Sequence, residues 1–232
     1  MTVSSASPSL PAGADWAPAG LEARLVEAAL TALETTSVDR LSMRSVASSV
    51  GVSHQAPYTH FRSRTRFLAA VAGSGLAGVV TEAEVAVERA GDDPIARLLA
   101  LGDHYASFIE RRPHLFDLAF GPVVAMRDHR VLQEAAIAYW SLLRGVVLAC
   151  QPPGTPDGEV QNRCEIAAST VYGIARMGAH HKIPRVVPAT PRELVNSALR
   201  TLHDGWHVIP GQAPRTPTPG PDHQADESRG LP

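Results

Sequence analysis

The sequence predicts an all-α protein, and three observations carry that reading. Apolar residues recur at three- and four-residue spacing over most of the chain. No stretch of useful length alternates apolar and polar residues as a half-buried strand would. Turn formers punctuate the periodic stretches at Gly51, Gly91-Asp92-Asp93-Pro94, Pro113 and Gly121-Pro122. Alanine, the best helix former, is also abundant.

The elements follow in order. Leu21, Leu25, Ala28, Ala29, Ala32 and Leu33 place a first helix over about Leu21–Thr35. Ser42 suits the N-cap of a short second helix, which Gly51 breaks. Ser53 is expected to cap a third that carries Tyr58 and Phe61, and Pro57 inside it removes one backbone donor. Ser63 caps a longer helix with Phe67, Leu68, Val71, Leu76 and Val79-Val80 turned inward. Pro94 opens the next, with Ile95, Leu98, Leu99, Tyr105, Phe108 and Ile109 on one face up to Arg112. A short helix follows from Pro113, then long ones over Val131–Cys150, Glu159–His181 and Pro191–His207. About nine helices result.

Composition bounds the function. The 232 residues suffice for one large domain or two small ones. Net charge is −2, so any affinity for nucleic acid must come from a local patch. Cys150 and Cys164 lack metal-ligand spacing and offer no disulfide framework, which fits a reducing cytoplasm. The first basic residue is Arg24, so no positively charged segment precedes an apolar stretch as in a secretory signal. The uncharged run Phe67–Thr81 is shorter than the roughly 20 apolar residues a membrane-spanning helix needs. No Gly-rich phosphate loop or other cofactor motif occurs.

The segment Leu41–Ser53 carries the strongest signal. It reads as a short helix, a glycine turn and a second cap. Val46, Ala47, Val50 and Val52 supply the apolar face that locks two helices across the turn. Gly51 supplies the positive φ of a tight turn. This is the pattern of a helix-turn-helix, whose second helix presents its first residues to base edges in a DNA major groove. There the chain has His54, Gln55 and Ala56. Gln pairs with adenine through two hydrogen bonds, and Ala packs on a thymine methyl. Charge agrees: Leu41–Thr81 holds the four arginines Arg44, Arg62, Arg64 and Arg66 and no acid. A share of 23 acids in 232 residues would place about four in such a window. A local basic patch in an acidic chain is the footprint of phosphate contact.

The order of parts resembles the tetracycline-repressor (TetR) family. The residues that carry the resemblance are Leu41-Ser42-Met43-Arg44, Val46-Ala47, Gly51-Val52-Ser53, Tyr58, Phe61, Arg64 and Phe67-Leu68, within Leu21–Ala72. Ala56–Phe61 is similar to a subgroup with a Trp-His-Gly signature in its C-terminal half. At the positions of that Trp and His this chain has Ala168 and Tyr172, with Gly173 kept. The resemblance implies an N-terminal three-helix DNA-binding domain over 21–66. A larger helical ligand-binding and dimerisation domain would cover 67–208. A flexible arm over 1–20 and a Pro-rich disordered tail over 209–232 would flank them. It also implies roles: Arg44 and Arg64 face phosphates, Ser53, Tyr58 and His60 add backbone contacts, and His54, Gln55 and Thr59 look into the groove. Family members bind pseudo-palindromic operators as homodimers through their last two long helices, here 159–181 and 191–207. Ala167, Ala168, Ala175, Gly178 and Ala198, with Leu194, Val195, Leu199 and Leu202, are expected to form that four-helix face.

Aromatic and Met residues of the C-terminal half suit a mostly apolar site for a small-molecule effector. His104, Phe108, Phe116, Phe120 and Trp140 are expected to line it, with Tyr105, Met126, Tyr139 and Met177 as further candidates. Tyr172, Arg144 and Arg176 complete the set, the arginines as partners for a carboxylate. A DNA-binding regulator without an effector remains an alternative. A metal-dependent helical enzyme would need more than His203 and His207 at one-turn spacing or the pair His180-His181, since zinc takes three or four ligands.

Overall fold

The computed structural model describes residues 20–126, 129–179 and 188–207. The expected arm up to residue 19, the tail and the His180-His181 pair lie outside the described residues. Among the described residues there are nine α-helices and no strand. They are α1 (Leu21–Leu33), α2 (Met43–Ser49), α3 (Ala56–Phe61), α4 (Arg64–Arg89), α5 (Pro94–Arg111), α6 (Pro113–Phe120), α7 (Arg130–Ala149), α8 (Asp157–Ala179) and α9 (Pro191–Trp206).

The helix starts follow from side chains that satisfy the free N–H groups of a first turn. The Ser42 hydroxyl accepts from the Arg44 N–H at 3.2 Å, and the Ser63 hydroxyl accepts from the Arg66 N–H at 3.2 Å. Asp93 accepts from the Ile95 N–H, and Thr190 forms a capping box with Glu193. Pro94, Pro113 and Pro191 all sit in first turns, where a missing N–H costs nothing.

α3 departs from expectation. It begins at Ala56, not Ser53, because Ser53–Gln55 form a turn closed by an Ala56 N–H to Ser53 carbonyl bond of 3.0 Å. Pro57 therefore falls in the first helical turn and costs no hydrogen bond, while its ring is buried. The turn before it is a Schellman motif. The Gly51 N–H bonds the Ser48 carbonyl at 3.1 Å and the Val52 N–H bonds the Ala47 carbonyl at 3.0 Å. Gly51 takes φ 73°, as that motif requires.

α4 is the axis of the fold. Phe67, Leu68, Val71, Ala72, Leu76, Val79, Ala83 and Val87 are buried along it, and it packs against α1, α3, α5, α6 and α7. Small residues allow the closest approaches. A Cβ on Gly73 would stand 2.7 Å from Val131 Cγ1 and 3.0 Å from the Leu132 backbone nitrogen. One on Gly75 would stand 2.6 Å from Leu115 and 2.8 Å from Leu30. α1 and α6 thus meet on one face of α4 while the start of α7 rests on another. The boundary expected at 66/67 falls inside this single uninterrupted helix.

α4 and α7 are long and apolar enough to cross a membrane by length and composition alone. In this fold half of the α4 window is buried among the other helices.

Candidate nucleic-acid interface and ligand cavity

The helix-turn-helix is built on Val46 and Ala47, which are buried, and on Phe61, which meets Phe67 edge-on at 5.0 Å. These contacts leave the opposite face of α3 and its leading turn in solvent. Arg44, Ser53, His54, Gln55, Thr59 and the half-exposed Tyr58 all lie in solvent, and Ala56 is half-buried. The Thr59 hydroxyl donates to the Gln55 carbonyl at 3.2 Å, which leaves its lone pairs outward.

Two expected phosphate anchors have other partners. Arg64, an exposed residue, donates to the Val38 carbonyl at 2.7 Å and the Leu41 carbonyl at 3.3 Å. Those oxygens belong to the loop between α1 and α2, where the Val38 carbonyl also accepts from the Leu41 N–H at 3.3 Å, so the guanidinium staples that loop to the start of α4. His60 Nδ1 lies 3.4 Å from Glu22 Oε1 on α1. Both residues brace the helix-turn-helix. Arg24, given no site role by the sequence, does likewise by donating to the Val50 carbonyl at 3.0 Å.

The link from α3 to α4 is strained. Arg62 has φ 62°, and the Ser63 N–H closes a 2.7 Å bond to the Phe61 carbonyl across it. This is a γ-turn in a region L-residues avoid.

An apolar cavity of about 210 Å³ lies among α5, α7, α8 and α9. Its lining includes Leu98, Leu101, Gly102 and Tyr105 from α5 and Ala136, Tyr139, Trp140 and Leu143 from α7. Ala167, Ala168 and Val171 come from α8, Leu199 from α9, and Phe120 from the end of α6. Burial pushes the Tyr105 phenol up to about 12 and the Tyr139 phenol well above its ordinary value, so both stay protonated. Among the described residues the buried Tyr139 hydroxyl has no hydrogen-bond partner.

Phe120, Trp140, Tyr105 and Tyr139 line this cavity as expected, but the other expected ligand contacts lie elsewhere. Phe108 and Phe116 pack on each other at 5.7 Å as core. His104 faces α4, with Nε2 3.8 Å from Glu82, and burial lowers its pKa. Arg144 is paired with Asp157, and Arg176 donates to Asp117 at 3.0 Å while lying over Phe116. Tyr172 is largely exposed. The aliphatic and small lining residues carry no local sequence signal, because a void is the sum of several helices.

Cys150 and Cys164 are buried thiols. Burial pushes Cys150 up to about 11, and its Sγ lies 3.3 Å from the Pro94 carbonyl. His207 Nδ1 lies 2.9 Å from the His203 carbonyl oxygen, and the two imidazole ring centroids are 4.6 Å apart. Among the described residues no cluster of three or more His, Cys, Asp or Glu could hold a metal ion.

No curated protein sequence matches the chain. Among solved structures, it is 30% identical to a protein of unknown function from Rhodococcus sp. RHA1, with TM-score 0.67 over 83% of this chain and 98% of that one. A putative transcriptional regulator from Pseudomonas aeruginosa PAO1 is 20% identical, with TM-score 0.61 over 79% and 88% of the two chains. The TetR family transcriptional regulator PfmR from Thermus thermophilus is 18% identical, with TM-score 0.54 over 78% and 97%. Likeness at the lower two identities speaks to the fold. Residues 98–202 match the family model of the tetracyclin repressor-like C-terminal domain. Over residues 98–202 the chain is a tetracyclin repressor-like C-terminal domain. TetR proteins are transcriptional regulators and not enzymes. The match runs from Leu98 on α5 to Leu202 on α9 and so spans the helices that build the cavity. The finer resemblance to a Trp-His-Gly subgroup finds no support in these matches.

Proposed function

We propose that this protein is a cytoplasmic TetR-type repressor that binds a palindromic DNA operator as a homodimer and is released by a small, largely apolar ligand. The observation that carries the reading is the exposed leading face of α3, with His54 and Gln55 as readers, in a stretch with arginines and no acid. Arg44, Ser53 and Tyr58 position the head on phosphates, and His54, Gln55, Ala56 and Thr59 meet base edges. Arg64 and His60 act one step behind by holding the head in shape.

Support for the homodimer comes from α8 and α9. Ala167, Ala175, Val195 and Leu199, expected at the dimer face, are buried within the subunit instead, because α9 packs its apolar stripe on α5 and α8. The face left for a second copy is narrower. It comprises Ile166, Gly173 and Met177 on α8, with Leu194, Ala198 and Leu202 on α9. Ile166 and Met177 are large apolar side chains left in solvent.

Release requires a ligand that prefers a state in which the two α3 helices no longer match successive major grooves. α4 runs from the head into the sensor half, and α7, which lines the cavity, abuts it at Gly73. A shift of α7 therefore reaches the head directly.

The test is selection of bound DNA from a random pool, with sedimentation of the complex. A two-fold symmetric sequence bound by two copies is expected. Absence of any preferred sequence would sink the reading.

A further inference from the structure

We propose that the cavity takes an uncharged ligand with a ring-sized apolar body and one hydrogen-bond-accepting oxygen, and that it rejects carboxylates and ammonium ions. This rests on the ligand-responsive reading above and names the chemistry of that ligand.

Charge comes first. Among the described residues the lining contains no Asp, Glu, Lys, Arg or His. The arginines of α7 and α8 that a carboxylate ligand would want, Arg144 and Arg176, are paired with Asp157 and Asp117. An ion entering an apolar cavity loses its hydration and finds no counter-charge, so the site selects against it.

Shape comes second. Tyr105, Phe120, Tyr139 and Trp140 bring aromatic rings to the lining, with the Tyr105 and Tyr139 centroids 5.7 Å apart. The space exists because Gly102, Ala136, Ala167 and Ala168 withhold side-chain volume. Aromatic walls favour ring faces and edges over flexible chains.

The polar atom comes third. The side-chain polar groups of the lining residues are two phenols and an indole N–H. Burial keeps both phenols protonated, so all three can donate. The buried Tyr139 hydroxyl has no partner among the described residues, a deficit that a ligand carbonyl or hydroxyl oxygen would relieve.

The experiment is calorimetric titration of the full chain at neutral pH with three probes of matched size. They are 2-naphthol, 2-naphthoate and 2-naphthylmethylammonium. Naphthol is expected to bind at least about tenfold more tightly than either ion. Tyr139→Phe is expected to weaken naphthol about three- to tenfold, the loss of one hydrogen bond. Ala168→Trp is expected to abolish binding by filling the cavity, and Ala136→Phe replaces it if the melting temperature shows that the first variant misfolds. Naphthoate or the ammonium probe binding as well as naphthol overturns the proposal, as does undiminished binding to a folded, filled variant. Equal affinity in Tyr139→Phe overturns the assignment of the oxygen partner. A charged probe that binds best and also frees operator DNA leaves the regulatory reading standing while the charge inference fails. Failure of all three probes counts against both.

Discussion

The Arg64 guanidinium lies 2.7 Å from the Val38 carbonyl oxygen, across the joint between the first helices of the head and the long helix that leaves it. An arginine at the start of α4 in a DNA-binding head invites assignment to a phosphate. Its two carbonyl partners give it a structural task instead. The two roles separate experimentally. Arg64→Ala is expected to lower unfolding free energy by about 1.5–3 kcal/mol, the range for hydrogen bonds to charged groups, in urea denaturation. It should leave the salt dependence of DNA affinity unchanged. Arg44→Ala should do the reverse. Stability stays level, and the slope of log affinity against log salt shrinks by about 0.9 for each phosphate that Arg44 neutralises.

The turn at Arg62 stores strain, since φ 62° brings Cβ against the carbonyl that follows it. Glycine removes that clash, worth roughly 1–2 kcal/mol, but gives back part of it in backbone entropy. Arg62→Gly is expected to raise stability by about 0.5–1 kcal/mol in the same denaturation assay, net of both effects. A loss of stability would show that the γ-turn is held by the Arg62 side chain rather than merely tolerated.

Gly102 sets how closely α9 seats on α5. A Cβ there would run into Leu199, with Val195 Cγ1 at 3.3 Å. Gly102→Val is expected to cost about 1–3 kcal/mol through overpacking. Adding Leu199→Ala should recover part of that loss, so the double-mutant cycle should be non-additive. Strict additivity would mean that the two residues do not meet here.

His104 predicts a pH dependence. Burial lowers its pKa below 6.5, against which the nearby Glu82 acts in the opposite direction. Between the folded value and 6.5 the unfolded chain therefore binds more protons than the folded one. By linkage, stability is full above 6.5 and declines as pH falls from there toward the folded value. Melting temperature measured against pH should fall over that window, and His104→Gln should flatten this part of the curve. An unchanged slope in the variant would assign the effect to other groups.

The fold was legible because its rules are local. Helical periodicity and turn signals together located the nine helices of the described residues, and Ser42, Ser63, Pro94, Pro113 and Pro191 marked starts to within a few residues. Ser53 misled because serine caps turns as readily as helices, and only the chain beyond it reveals that the helix waits until Ala56. The cavity was far less legible. Phe116 and Phe120 are one turn apart on α6, yet the first is core and the second lines the void. Periodicity says which face turns inward and not whether that face meets atoms or space. The pairings of Arg64 with Val38 and of Arg176 with Asp117 span 26 and 59 residues, beyond the reach of any local pattern.

The most direct test of the central claim, that the leading face of α3 reads DNA, is a base-pair scan of the selected operator against wild type and Gln55→Ala. Wild type should discriminate at one position in each half-site by about 1–3 kcal/mol, and Gln55→Ala should lose discrimination there while keeping it elsewhere. Full retention of the wild-type preference at every position would contradict the account, as would a uniform loss of affinity with no change in preference.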